Sequence, residues 1–158
     1  MVGCGGSGKS TLARTLSRKL GLPLVHLDRE YWRAGWIEPP PDEWQARVRE
    51  LCAAEEWVID GNYGDTMELR LARADTVVFL DLPTATCLLG IGGRFLRWRG
   101  RPRPDMAEGC PETITGEFLR YVLAYRRTRR ARVLERLERF DGDVVVLRSR
   151  RAARRFAK

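Results

Sequence analysis

Long apolar runs are missing from this 158-residue chain. No stretch approaches the roughly 20 residues that a membrane-spanning helix needs, and the glycine-rich start does not resemble a signal peptide. The cysteines Cys4, Cys52, Cys87 and Cys110 are scattered and include no C-x-x-C pair. Their spacing argues against a disulfide framework or a zinc site, and it predicts free thiols in a reducing cytoplasm.

Lysine is scarce, and acidic residues are few in the second half of the chain. Of the 29 basic residues, Lys9, Lys19 and Lys158 are lysines and the rest are arginines. Residues 1–90 hold 10 Lys and Arg against 13 Asp and Glu, whereas residues 91–158 hold 19 against 8, and the net charge is +8. A GC-rich genome would produce the same bias toward arginine. Either way, a basic second half predicts anionic partners, which are nucleotides or nucleic acid.

Strand-like and helical segments alternate along the chain, and 44% of its residues are hydrophobic. Apolar residues at helical spacing precede Gly21, Asp42 with Gln45 predicts a capping box, and Asp65 with Glu68 predicts a short helix. Strands are predicted at 22–28, 57–60, 76–82 and 143–147, and helices at 84–98, at about 111–140 and at the C-terminal end. This order predicts a single α/β domain over residues 1–158, with a parallel sheet and helices on both faces.

The chain opens with a complete phosphate-binding loop, or P-loop, of the pattern G-x-x-x-x-G-K-[ST]. In such a loop, backbone N–H groups surround phosphate oxygens and the following helix directs its positive end at them. The predicted ATP-binding residues are Gly3, Cys4, Gly5, Gly6, Ser7, Gly8, Lys9, Ser10 and Thr11. Lys9 is the predicted catalytic cation and Ser10 a predicted Mg²⁺ ligand. Only Met1 and Val2 precede the loop, so we expect either a short first strand or a chain start further upstream.

Two aspartates at predicted strand ends carry further chemistry. Asp60, followed by Gly61, ends a strand and is the predicted Mg²⁺ carboxylate, with Asp81 as its competitor. Asp28 ends an earlier strand and is the predicted general base for an attacking hydroxyl group. An ordinary Asp-Gly turn and a surface carboxylate are the alternatives, and His26 is interpreted as structural.

Aromatic and arginine clusters supply the remaining predicted site. Tyr31, Trp32, Trp36 and Trp44 predict either an acceptor pocket or a hydrophobic flap over the core. The arginines at 94, 97, 99, 101 and 103 predict a mobile lid over about 92–106, and Arg97 and Arg101 are its predicted catalytic residues. A solvated basic loop or a DNA contact is the alternative.

Several stretches together resemble the bacterial P-loop proteins of DNA topology modulation, the FlaR-like proteins. They are GCGGSGKSTLAR, HLD…YW…GW, WVIDGNYGDTMELRLARADTVVFLDLP, RGRPRPDM, GCPE and RARVLERL. These proteins are in turn similar to adenylate kinase and its small-molecule kinase relatives. The resemblance implies a P-loop NTPase sheet of strand order 2-3-1-4-5 with a short lid. DGNY replaces the DGFPR of those kinases and lacks the arginine that holds an acceptor phosphate, so a nucleoside monophosphate acceptor is not implied.

The sequence thus predicts a cytoplasmic phosphotransferase that uses ATP and Mg²⁺ and acts on an unidentified small acceptor. A nucleotide-dependent DNA-binding or regulatory protein is the rival prediction, since the arginine-rich stretches 126–132 and 148–155 would contact phosphates. A slow ATPase without an acceptor is the third. No membrane partner is expected.

Overall fold

The structure is a computed structural model that describes residues 1–101 and 103–158; Pro102, which falls in the predicted lid, lies outside the described residues. The strands are β1 Val2–Gly3, β2 Leu24–His26, β3 Val58–Asp60, β4 Thr76–Leu80 and β5 Asp143–Leu147. The helices are α1 Lys9–Leu20, α2 Leu27–Tyr31, α3 Pro41–Leu51, α4 Met67–Leu71, α5 Thr84–Trp98, α6 Gly116–Glu138 and α7 Arg150–Phe156, with a 3-10 turn Gly64–Thr66 before α4.

The strands pair in parallel. β1 lies beside β4 and β4 beside β5, while β2 pairs with β3 so that His26 lies opposite Asp60. Two hydrogen bonds of Met1 join the β1–β4–β5 sheet to the β2–β3 sheet. Met1 N donates to Ile59 O at 2.5 Å, and Gly61 N donates to Met1 O at 3.2 Å. Met1 is thus bonded to the residues immediately before and after Asp60, which is the hydrogen-bond pattern of parallel strands. Within the β1–β4–β5 sheet and within the β2–β3 sheet, the carboxyl ends of the strands therefore lie at the same edge.

The core is organised around β4, whose last four residues are buried. Val78 and Leu80 face a cluster to which α1, α5, α6 and α7 contribute. Val77 and Phe79 face the opposite cluster, formed with α4 and the end of α6. Full burial of a side chain such as Phe79 stabilises the fold by about 1.5–3 kcal/mol. Helices thus pack on both faces of β4, as the alternation predicted.

Three predicted boundaries are wrong. The long helix does not begin near Pro111 but at Gly116, where the Thr115 hydroxyl accepts a hydrogen bond from Phe118 N at 3.1 Å and caps it. No capping box forms at Asp42, because α3 begins at Pro41, whose fixed φ suits the first helical turn.

Asp28 is the third correction, because its strand ends two residues earlier, at His26. Asp28 lies instead in the first turn of α2, just beyond the carboxyl end of β2.

Among the described residues, no helix is both long enough and apolar enough to cross a membrane.

Candidate functional site

The P-loop joins β1 to α1 over Cys4–Gly8. Gly8 has φ 95°, in the left-handed region that glycine adopts without strain, and this turn starts α1 at Lys9. The first turn of α1 contains no acidic residue. Nothing in that turn therefore neutralises the positive end of the helix, and the loop retains the potential that attracts a phosphate.

α5 packs directly on the P-loop. A Cβ atom added to Gly90 would overlap the carbonyl oxygen of Gly6, and one added to Gly6 would overlap the carbonyl oxygen of Cys87. Around Gly92 and Gly93, by contrast, an added Cβ would meet nothing within 4 Å. Of the glycines in this helix, Gly90 is therefore the one that its contact with the loop requires.

A cavity of about 500 Å³ lies between the P-loop, α5 and α7. Its lining includes Gly6–Leu12 and a group of basic side chains, namely Arg14, Arg94, Arg97, Arg103, Arg150 and Arg154. Asp105 is the acidic side chain in the same lining. Such an excess of guanidinium groups around the P-loop favours a polyanion such as a polyphosphate.

Lys9 interacts electrostatically with the predicted Mg²⁺ carboxylate, Asp60, and with the predicted base, Asp28. Its burial opposes the charged ammonium form, but attraction to Asp60 and then to Asp28 outweighs burial, so the pKa of Lys9 is raised above its ordinary value. The charges of these three residues, which lie far apart in the sequence, therefore act on one another.

Asp60 is the buried carboxylate of this group, with 4% of its surface exposed. His26 Nδ1 donates to Asp60 Oδ2 at 3.0 Å. Burial alone would raise the pKa of Asp60, but the charge of Lys9 and hydrogen bonds from His26 and Ser10 hold that pKa below its ordinary value. The carboxylate is therefore ionised at neutral pH.

The residues beside Lys9 fit a magnesium ion carried by a nucleotide. Asp60 Oδ1 is buried and has no hydrogen-bond partner among the described residues, and Ser10 is one of the groups that lower the pKa of this carboxylate. The described residues contain no group of three or more His, Cys, Asp or Glu side chains that could bind a metal alone. Mg²⁺ commonly takes one or two protein ligands plus phosphate oxygens and waters, which this set would supply.

Asp81, the competing carboxylate, is bound by arginines. Arg130 donates to both of its oxygens at 2.7 Å, and Arg126 Nη1 lies 3.3 Å from Oδ1. The hydrogen bonds from Arg130 are the main cause that lowers the pKa of Asp81. This carboxylate is consequently committed to joining β4 to α6.

Asp28 accepts a hydrogen bond from the Tyr63 hydroxyl at 2.8 Å. Tyr63 has φ 30°, an uncommon conformation for a residue with a side chain, and it lies three residues beyond Asp60. The Tyr63 ring is 4.7 Å from that of Tyr31. The loop after β3 therefore orients the predicted base.

The aromatic residues form a continuous group. Ring centroids are 5.0 Å apart for Tyr31 and Trp44, 5.0 Å for Tyr31 and Trp32, and 5.3 Å for Trp32 and Trp36. Trp44 is a buried core residue that packs with Val48, which agrees with the alternative prediction of a hydrophobic flap over the core. The acceptor pocket stays a prediction for the others.

The predicted lid arginines separate into two groups. Arg94, Arg97 and Arg103 line the cavity, with Arg97 exposed. Arg101 is exposed and lies outside the cavity lining, and the guanidinium of Arg99 lies 5.9 Å from the ring centre of Phe95. The structure therefore brings Arg97 to the P-loop and leaves Arg101 away from it.

Sequence reasoning missed two residues that hold the loop after β3. Asn62 Oδ1 accepts from Gly3 N at 2.9 Å, while its Nδ2 donates to Tyr121 Oη at 2.9 Å. The buried Arg70 donates to four carbonyl oxygens, those of Gly61, Asn62, Tyr63 and Thr66. The position of Asn62 directly after Asp60-Gly61 was a usable signal, but nothing in the sequence indicated Arg70.

The arginine-rich stretches predicted for DNA contact are partly engaged within the protein. In residues 126–132, Arg126 and Arg130 bind Asp81, and Arg129 lies over the ring of Tyr121 at 4.8 Å. In residues 148–155, Arg150 and Arg154 line the cavity. Much of this charge therefore stabilises the fold or faces the P-loop.

Comparison with curated protein sequences finds a relative with a stated activity. It is described as a shikimate kinase, from Pseudomonas syringae pv. syringae strain B728a, and is 34% identical over 134 residues, which cover 75% of this chain and 74% of the relative. No protein-family profile matches the chain.

Proposed function

We propose that this chain, which belongs to the shikimate kinase family of P-loop small-molecule kinases, transfers the γ-phosphoryl group of Mg·ATP to a hydroxyl group of a small molecule. Family membership supports a P-loop, ATP-dependent phosphotransferase. The observation that carries the proposal for this chain is the arginine-lined cavity at the P-loop, whose lining includes Lys9.

Each residue has a role in this proposal. The backbone of Gly3–Thr11 binds the triphosphate, and Lys9 stabilises the charge that develops on the transferring group. Ser10 and Asp60 hold Mg²⁺, which when bound would neutralise phosphate charge. Asp28, oriented by Tyr63, accepts the proton of the attacking hydroxyl group.

The finer architecture is also part of the proposal. The two hydrogen bonds between Met1 and the β3 region support one sheet of strand order 2-3-1-4-5. Residues 92–106, apart from Pro102, would form a short lid that brings Arg97 to the nucleotide. We place the reaction in the cytoplasm, where ATP is present and where the four free cysteines would stay reduced.

The acceptor is proposed as a small hydroxyl compound, and shikimate is the first to test because the relative is named for it. The resemblance to DNA topology modulation proteins enters only as a P-loop relationship. DNA binding has no support in the similarity to a kinase, and the arginines bound to Asp81 reduce the charge left for it.

An acceptor screen tests the proposal. ADP release from Mg·ATP is measured with small hydroxyl compounds, shikimate and its hydroxylated analogues first, and the phosphorylated product is identified by mass spectrometry. Binding to duplex DNA is titrated with salt in parallel. Acceptor-dependent ADP release establishes the kinase, constant slow release with every compound establishes an ATPase, and salt-sensitive DNA binding without nucleotide binding overturns the proposal.

A further inference from the structure

Glu112 is the least exposed carboxylate group near the P-loop cavity, with 1% of its side chain accessible. It contacts two arginines: Arg94 Nε donates to Oε1 at 2.7 Å, and Arg103 Nε lies 2.7 Å from Oε2. Each carboxylate oxygen therefore has its own guanidinium. A buried carboxylate is stabilised only by such partners, so its position and theirs depend on each other.

The two arginines come from different segments. Arg94 lies in α5, and Arg103 lies in the loop that follows this helix. Glu112 belongs to the far end of the same loop, where its backbone forms a bridge with Arg99. The carboxylate thus ties the helix to both parts of the loop.

Both arginines also line the P-loop cavity. The positive charge of Arg94 is close enough to Lys9 to oppose its protonation. Because both contacts with Glu112 use Nε, the terminal Nη nitrogens remain for other partners. Arg103 Nη1 is 3.5 Å from Asp105, whose other oxygen lies 3.5 Å from Arg14.

The charges in this cluster do not balance. Two guanidinium groups share Glu112, and Arg14 and Arg103 share Asp105. Three arginines thus face two carboxylates, next to Lys9 and the positive end of α1. The excess positive charge leaves the cavity side able to bind an additional anion. Glu112 is the anion that the protein itself supplies to the same arginines.

We infer that Glu112 is a positioning residue that holds Arg94 and Arg103 against the phosphoryl group being transferred. The inference rests on the proposed function, since it needs a nucleotide in the cavity. Glu112 itself is not among the residues that line the cavity in which the nucleotide would bind. It limits the motion of the two cations relative to each other, so that they keep one arrangement when charge develops in the transition state.

The inference is tested by measuring nucleotide binding in the absence of turnover. This measurement needs no acceptor. The affinity for ADP and the affinity for ADP with Mg²⁺ and aluminium fluoride, which imitates the planar transferring group, are measured by calorimetry. We expect Glu112→Gln to change ADP affinity less than about threefold and to weaken the aluminium fluoride complex by about tenfold or more. Glu108→Gln, an exposed change in the same loop, should alter neither affinity.

Thermal unfolding shows whether each variant is folded. If Glu112→Gln does not fold, Glu112→Asp replaces it, because it keeps the charge but shortens the reach to both arginines, and it should give the same selective loss. An equal effect on both complexes, no effect on either, or no tightening of ADP by aluminium fluoride in the natural protein overturns the inference alone. A natural protein that binds no ADP overturns the proposed function as well.

Discussion

Arg130 binds Asp81 through two parallel hydrogen bonds of 2.7 Å, from Nε to one carboxylate oxygen and from Nη2 to the other. Asp81 directly follows β4, so it has the sequence position expected of a Mg²⁺ carboxylate. The bidentate pair instead fixes its function as a link between the sheet and α6. Among the described residues, Asp60 Oδ1 is buried without a hydrogen-bond partner, which supports Asp60 as the proposed ligand.

The two aspartates should therefore respond differently to substitution. Asp60→Asn should raise the Mg²⁺ concentration needed for half-maximal activity much more than Asp81→Asn does, since only Asp60 neighbours Ser10 and Lys9. A Mg²⁺ titration of ADP release at fixed ATP measures this. The reverse order would exchange the roles of the two residues.

Asp81 should also contribute to stability in a pH-dependent way. Its pKa is lowered from 3.8, chiefly by Arg130, so its stabilisation is present above about pH 4 and is lost as the pH falls through the lowered value. Asp81→Asn should cost about 1–2 kcal/mol at pH 7, because its partners are partly exposed, and much less at pH 3. Denaturant unfolding at both pH values measures the difference, and the exposed Asp141→Asn serves as the control.

Lys9→Ala should fold normally but lose Mg·ATP-dependent turnover by about 100-fold or more, because it removes a cation from the transferring phosphoryl group. Lys19→Ala, at the exposed end of the same helix, should leave turnover unchanged. Steady-state ADP release and thermal unfolding of both variants provide the measurement. A folded, fully active Lys9→Ala protein would contradict the site assignment.

The contact between Gly90 and Gly6 predicts opposite outcomes for two changes in α5. Gly90→Ala should destabilise the protein and weaken ATP binding, because its methyl group would overlap the backbone of the P-loop. Gly92→Ala has open space around it and should stabilise α5 by about 0.5–1 kcal/mol. Unfolding free energies of the two variants, measured side by side, decide; equal effects would show that α5 does not depend on this contact.

The proposed lid is tested at Arg97, which lines the cavity while being exposed. Arg97→Ala should lower the turnover number strongly and ATP affinity only mildly, with the exposed Arg73→Ala as control. Hydrogen exchange over residues 92–101 should slow when a non-hydrolysable ATP analogue binds. Unchanged exchange, together with DNA binding whose salt dependence falls by about one unit of slope for each arginine removed, would favour the nucleic-acid interpretation.

Local patterns in the sequence were sufficient to predict the type of most elements. The run of β-branched and aromatic residues in β4 predicts a strand buried on both faces, and the glycine spacing before Lys9 predicts the P-loop. Both depend on interactions within a few residues, so the sequence alone contains their cause. The predicted start of α6 was wrong because its cause is not local. The carboxylate of Glu112, the residue after Pro111, pairs with Arg94 and Arg103, and Glu112 is not part of the helix.

The site itself was decided by tertiary structure. The sequence predicted Asp60 as the Mg²⁺ carboxylate but left Asp81 as a competitor, and the packing of α6 against β4 pairs Asp81 with Arg130, whereas the charge of Asp60 acts on Lys9. Likewise, the five arginines from 94 to 103 are alike in sequence. Burial of Glu112 selects Arg94 and Arg103 from among them, because a carboxylate without water must be paired with whichever cations the fold brings within reach.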